Sequence, residues 1–440
     1  MFAPSQPHTV ERADADVIVI GAGAAGLAAA LFAGRSGARV LLLEGSGRVG
    51  TKIRASGGGR CNILPSAVDG DSFWSHSDSA TMNAVLAALP LAQARALFET
   101  DLGLPLKTEA TGKVFPRSDR ADDVVQALLR GVAAAGVVLR TGAVVTDVVA
   151  TPSDALGSAA AKATTGDDAL FAGFSLLLAS GETLRCRRVV LASGGLALPK
   201  SGSDGFGLRL ALQLGHTVAQ TYPALVPLTV DAPDLRALSG VAVAARLAIV
   251  DASGGVLARE AGDVLLTHRG LSGPAVLQAS RHLTAPDAKG RRLRIHWGDV
   301  DWKAVLSDGH GGRQLGPALR AALPSRLANT LLARSGRADV DRLASLSKVD
   351  RKALLALLEG FEPVVTGSEG YKTAEVTGGG VRLDELDAKT LQSRVVPGLH
   401  LCGEVVDATG RLGGYNFLWA WASGKVAGLG AAAASERRSE

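Results

Sequence analysis

A β-branched run ending in Gly-x-Gly-x-x-Gly, a glycine cluster at Ser56–Asn62 and a glycine-bearing return at Gly403–Asn416 predict an α/β fold. The expected architecture is a discontinuous Rossmann-type dinucleotide-binding domain, interrupted by an inserted β-barrel-like plus helical domain.

The run Asp16–Ile20 reads as a strand buried on both faces. Gly21 permits the tight turn out of it, Gly23 lets backbone approach a pyrophosphate, and Gly26 lets the next helix pack close. That helix, about Ala24–Gly34, offers unpaired N–H groups and a positive dipole end through Ala24 and Ala25. A second strand, Arg39–Leu43, ends at Glu44. Its carboxylate stands roughly 20 residues past the glycines, the spacing of a ribose hydroxyl acceptor. An acid there suits the unphosphorylated ribose of FAD or NAD. The alternative is an ordinary tight turn with a surface glutamate, which the full strand–turn–helix–strand–acid order disfavours.

After Glu44 the loop bearing Ser56, Gly57, Gly58, Gly59, Arg60, Cys61 and Asn62 follows. Its glycines allow close approach to a flat ring or a phosphate. Arg60 can pair with pyrophosphate or with an acidic substrate. Cys61 has no evident activating base and reads best as a small packing residue. Standing alone, the cluster would read as a surface loop.

Helical sequence is expected from about Thr81 to Thr100, then a short strand and turn at Lys113–Pro116. Asp119 or Asp122 can open a helix running through Ala135. Strands are expected at Val137–Arg140, Ala143–Ala150, Phe174–Leu178 and Arg188–Ala192. The low-complexity stretch Thr151–Asp168 reads as an exposed hairpin extension or mobile loop. From Tyr222 to Gln278, short alternating runs such as Ala242–Val250 suggest an antiparallel sheet or small barrel. Leucine spacing turns helical from about Leu315 to Gly360. Rossmann character returns after Val376, with a strand at Val395–Cys402 and a closing helix at Phe417–Ala434. The expected division is an arm at 1–15, a first cofactor part at 16–215, an insert at 216–370, a second cofactor part at 371–434 and a tail at 435–440.

In the return, Glu404 at a strand end can accept from ribityl hydroxyls. Gly413, Gly414, Tyr415 and Asn416 precede the closing helix, whose positive end would stabilise negative charge on the N1–C2=O edge of a reduced flavin. The plainer reading is a helix N-terminus capped by Asn416. The strand end Ala192–Ser193–Gly194–Gly195 fits beside the dinucleotide. Lys52, Val145 and Gly403 complete the candidate cofactor set.

Net charge is +5, from 47 basic and 42 acidic residues. This mild excess permits anionic ligands without demanding nucleic acid. The hydrophobic fraction of 47% is carried by alanine, and no run of about 20 residues is apolar enough to span a bilayer. The N-terminus shows no signal-peptide pattern. Cys61, Cys186 and Cys402 have no CxxC or metal-ligand spacing, which suits a reducing cytoplasm and implies no metal.

Together with Lys113–Pro116, Ala192–Gly195, Thr267–Pro274 and Val376–Val381, these segments closely resemble the BaiN/YhiN-like (HI0933-like) family of FAD-dependent oxidoreductases. Two departures are Ile63–Leu64, where the family usually has Thr-Asn, and Arg54, where an apolar residue is usual. The resemblance implies non-covalent FAD and two-electron chemistry on a small organic substrate, with NAD(P)H as donor. One complete Gly-x-Gly-x-x-Gly argues against a second, nicotinamide-binding Rossmann domain, so NAD(P)H is expected to bind transiently. His268 and Arg269, ahead of a turn-rich segment, are the candidate proton donor and carboxylate holder, with Arg60 as a third catalytic candidate. A histidine satisfied by local backbone is the competing reading. Tyr371 and Lys372 can line the substrate cleft, although a surface role is the favoured reading. Two alternatives are an RNA-modifying flavoprotein, motivated by Arg291–Arg294, and a non-catalytic flavin-bound redox sensor. The modest charge and 4% aromatic content weigh against the first, so no nucleic-acid or membrane partner is expected.

Overall fold

A computed structural model describes residues 13–151, 173–307 and 312–433. Residues 1–12 of the expected arm, nearly all of the low-complexity stretch and the tail lie outside the described residues. The chain forms two compact units, Met1–Thr221 with Gly379–Glu440, and Tyr222–Gly378.

The first unit is built on strands β1 (Ala15–Ile20), β2 (Val40–Glu44), β3 (Leu64–Pro65), β4 (Phe73–Trp74), β5 (Leu106–Thr108), β6 (Lys113–Pro116), β7 (Val138–Thr141), β8 (Val145–Thr151), β9 (Gly173–Leu178) and β10 (Thr183–Leu191). Strand β11 (Val218–Ala224) carries the chain across to the second unit, with β12 (Leu228–Asp231), β13 (Ala242–Val250), β14 (Val256–Leu266), β15 (Gly270–Ser272), β16 (Arg292–Trp297) and β17 (Val364–Ser368). Strand β18 (Val376–Val381) returns alongside β11, and β19 (Leu399–Leu401) and β20 (Thr409–Gly410) complete the first unit.

The main sheet of the first unit runs β7-β2-β1-β10-β9-β8, with β19 also paired to β10. Strands β7, β2, β1, β10 and β19 are parallel neighbours. Strand β10 divides its outer edge: Thr183–Cys186 pair antiparallel with β9, and Val189–Leu191 pair parallel with β19. Val17, Ile18 and Val19 are fully buried, as the unbroken β-branched run requires. The helix Ala24–Arg35 packs against the closing helix Tyr415–Ala433, and both are apolar nearly all round. A Cβ on Gly424 or Gly428 would lie 2.4 Å from Ala25 O or 2.3 Å from Ala29 O, so this contact is backbone-close.

In the second unit six strands form an antiparallel sheet in the order β16-β13-β14-β15-β12-β17. A bridge between Ile295 of β16 and Phe361, just ahead of β17, links its two edges into a barrel-like closure. The helices Leu315–Ala322, Ser325–Ser335 and Lys348–Glu359 supply its helical part. Trp297 and Trp302 are fully buried in its separate core.

Four expectations change in detail. The helix over Thr81–Thr100 is broken at Pro90 into Ser79–Ala87 and Leu91–Ala96, the latter continuing as a wider turn to Asp101. Asp119 does not open the next helix; it binds Lys107 and Arg60, and the helix starts at Ala121 with Asp122 in its first turn. The strand expected at Val395–Cys402 shortens to Leu399–Leu401, because the Ser393 hydroxyl takes the Val395 and Val396 N–H groups into a turn. The last residues of the expected arm are tied down, since Asp14 exchanges hydrogen bonds with Arg185.

Candidate functional site: a glycine-built dinucleotide cradle

Parallel pairing brings the ends of β1, β2, β10 and β19 to one edge of the sheet. Each end is followed by a segment singled out from sequence. Gly21 follows β1, Glu44 ends β2, Ala192–Ser193–Gly194 follow β10, and Gly403–Glu404 come just after β19. In open α/β sheets, ligands bind outside the carboxyl ends of parallel strands.

The glycines there serve two purposes. Gly21 has φ 100°, and its Cβ would lie 2.7 Å from Ala192 O. A Cβ on Gly26 would lie 1.8 Å from Gly21 O. Internal packing therefore demands both. At Gly23 a Cβ would meet nothing within 4 Å, so the chain's own packing does not require a glycine there. Gly23 caps the helix Ala24–Arg35 with no side-chain hydrogen bond, which leaves the first-turn N–H groups of Ala24, Ala25 and Gly26 suited to an outside acceptor.

The Glu44 carboxylate is fixed by Ala22 N–H at 3.0 Å and by Ser46 N–H and Oγ at 2.9 and 2.8 Å. Ala143 N–H donates to Glu44 O, and Val145, two residues on, is buried and pairs with Leu178 of β9. Lys52 Nζ lies 2.5 Å from Glu404 Oε2, joining the loop after β2 to the return segment. Ser193 Oγ is buried without a hydrogen-bond partner among the described residues. A buried orphan hydroxyl beside a glycine cradle fits a polar ligand.

The second and third glycine segments also meet. Oriented by its partners, the Asn62 amide donates to Leu64 O and Val114 O and accepts from Gly414 N–H at 3.2 Å. Gly413 and Gly414 have φ 117° and 94°, and a Cβ on Gly414 would lie 2.4 Å from Leu64 C. The closing helix braces both segments, with Trp421 Nε1 donating to Ile63 O at 3.1 Å and Trp419 Nε1 to Gly403 O at 3.0 Å. Ser423 Oγ accepts from Gly403 N–H. Asn416 Oδ1 accepts from Gly410 N–H, and Tyr415 packs edge-on to Phe73. Gly57, Gly58 and Gly59 all have positive φ, and a Cβ on Gly58 or Gly59 would meet nothing within 4 Å. Ser56 Oγ donates to Ile53 O.

Arg60 is engaged by its own chain. It bonds Asp119 and Glu109 and lies 4.1 Å from the Phe115 ring centroid. Hydrogen bonds from Lys107 and Arg60 hold the Asp119 carboxyl below its usual range. Cys61 is fully buried, and burial pushes its thiol up to about 12. It packs in the core of the first unit.

In the second unit, His268 and Arg269 occupy the exposed tip of the tight turn between β14 and β15. Thr267 Oγ1 accepts from Arg269 and Gly270 N–H and closes that turn. Glycines press its base onto neighbouring strands: a Cβ on Gly270 would lie 2.2 Å from Leu228 O, and one on Gly273 2.5 Å from Asp263 O. Neither side chain makes a hydrogen bond or ion pair among the described residues. The basic run is neutralised instead: Arg291 pairs with Asp287, and Arg292 and Arg294 share Glu362.

Sequence reasoning missed the His76–Asp407 pair. Asp407 is buried and accepts from His76 N–H at 2.9 Å, with His76 Nδ1 at 3.4 Å. The two lie 331 residues apart, so no local signal announces them.

Fold and cradle define the class: a flavoprotein-type Rossmann fold able to hold a dinucleotide. The family model described as the HI0933-like protein Rossmann domain matches residues 15–430, and the chain belongs to that family. The chain is 37% identical over 418 residues to the ribosomal RNA dihydrouridine synthase of Escherichia coli (strain K12), covering 93% of this chain and 96% of that protein. It is 32% identical over 428 residues to the 3-dehydro-bile acid delta(4,6)-reductase of Clostridium scindens, covering 94% and 98%. The protein named ribosomal RNA dihydrouridine synthase in Haemophilus influenzae is 30% identical, with 94% and 97% covered. Among the described residues no helix is long and apolar enough to cross a membrane.

Proposed function

We propose that this protein is an FAD-dependent oxidoreductase that adds hydrogen across a carbon–carbon double bond conjugated to a carbonyl, with NAD(P)H as donor. The carrying observation is the convergence of four site segments at the ends of adjacent parallel strands. The names of the relatives support the chemistry. A dihydrouridine synthase and a delta(4,6)-reductase of a 3-dehydro compound both saturate a double bond near a carbonyl.

Bound FAD would supply hydride transfer at N5. The chain's residues would do the rest. The helix N-terminus at Ala24–Gly26 holds the pyrophosphate, and Glu44 accepts from the ribose. Glu404, oriented by Lys52, accepts from the ribityl chain. Ser56–Asn62 and Gly413–Asn416 border the ring. His268 gives the proton that accompanies hydride, and Arg269 holds an anionic group of the substrate. Each double bond reduced consumes one NAD(P)H and one proton.

A small organic enone is the first substrate reading. The second is uridine in ribosomal RNA, favoured by the two dihydrouridine synthases among the relatives. The neutralised Arg291–Arg294 run lends it nothing. Anaerobic mixing with NADH and NADPH, followed by either acceptor, tests both. We expect bleaching by a nicotinamide, then flavin reoxidation by one acceptor with a gain of two hydrogens in that product. Absence of bleaching with either nicotinamide would rule out the donor assignment.

A further inference from the structure

We propose that Lys113 is the cation that tunes the bound flavin, a positioning residue at the junction of the second and third glycine segments. This rests on the FAD reading above. Lys113 begins β6 and pairs with Pro65 of β3. Its Cγ lies 4.0 Å from the point a Cβ on Gly413 would occupy, and the Asn62 amide lies 3.9 Å from the same point. Asn62 in turn holds Gly414 N–H. The lysine stem therefore runs where the two segments touch, just ahead of the closing helix.

Neighbouring cations are spent elsewhere. Lys107 binds Asp119, and Arg60 binds Asp119 and Glu109. Lys113 is half-buried, and its side chain makes no hydrogen bond or ion pair among the described residues. A partly desolvated ammonium without a protein counter-ion favours negative charge on a group bound beside it. In a flavin, reduction places that charge on the N1–C2=O edge. The helix N-terminus favours the same edge, and Lys113 adds a full charge to its partial one. The lysine thus raises the share of the reduced, anionic flavin without contacting substrate.

The test uses the full chain loaded with FAD, as wild type, Lys113→Met and Lys113→Arg. Sulfite adds to flavin N5 and leaves negative charge on the N1–C2=O edge, so its affinity reports the local field. Lys113→Met is expected to weaken sulfite binding about tenfold and to lower the two-electron midpoint potential by the matching ~30 mV. Lys113→Arg, which keeps the charge, restores most of both. Thermal melting of the loaded variants checks folding. A folded, flavin-loaded Lys113→Met with unchanged sulfite affinity and potential overturns the role of Lys113 alone. A wild-type protein that takes up no FAD overturns the flavin reading, and this inference with it.

Discussion

The glycine cradle of the first unit and the hairpin tip of the second treat polar groups in opposite ways. In the cradle nearly every functional group is already held: Glu44 by Ala22 and Ser46, Glu404 by Lys52, and Asn62 by Gly414. At the tip the backbone is fixed by Thr267 and two tightly packed glycines, while the His268 and Arg269 side chains make no protein contact of that kind among the described residues. A preformed cradle suits a cofactor that stays; unspent side chains on a firm turn suit a substrate that comes and goes.

The sharpest way to break this comparison lies inside the cradle. Gly26→Ala forces a Cβ to 1.8 Å from Gly21 O and should destabilise the protein by ~3 kcal/mol or more, with loss of cofactor. Gly23→Ala meets no protein atom within 4 Å, so its melting temperature without cofactor should stay near wild type while FAD affinity falls at least about tenfold. Calorimetry with FAD titration separates the two. Equal destabilisation by both would show that Gly23 serves packing.

At the tip, His268→Gln should lower turnover by ~100-fold or more with the flavin spectrum and FAD affinity unchanged. Stopped-flow reoxidation measures it. A loss of FAD instead would make the tip part of the cradle.

Glu404→Gln should weaken FAD by about tenfold, roughly 1.4 kcal/mol, because it removes both a charged acceptor and the partner of Lys52. Equilibrium dialysis reads this, and Lys52→Met should move it the same way through the same carboxylate.

A last comparison sets the two units against acid. Burial depresses His400 in the first unit and His282 in the second to about 4. Each is favoured neutral in the folded state. Its stabilisation is present above the unfolded value of 6.5 and is lost as pH falls from 6.5 toward 4. For fully buried His400 the slope is on the order of 1 kcal/mol per pH unit. Urea midpoints between pH 7 and pH 4 (about the window set by these shifts) should fall, and His400→Gln should flatten the fall.

These contrasts also explain what was legible in the sequence. The Gly21–Gly26 turn and Glu44 could be read because tight turns and close approach demand glycine at fixed spacing. His268 and Arg269 could be read only as residue types, since a side chain on a turn has no spacing rule. The Asn62–Gly414 link joins positions that only the folded chain brings together, so no local pattern reveals it. Arg60 reads as a partner for pyrophosphate or an acidic substrate; in the fold Glu109 and Asp119 hold it, and their places in the sequence give no sign of that. Pro90 is a visible breaker inside Thr81–Thr100, and it is where the helix divides.

The most direct measurement is the visible spectrum of the purified protein, with mass spectrometry of the released cofactor. Oxidised-flavin bands and the mass of FAD are expected. A colourless protein that cannot be reconstituted with FAD would contradict the flavin assignment.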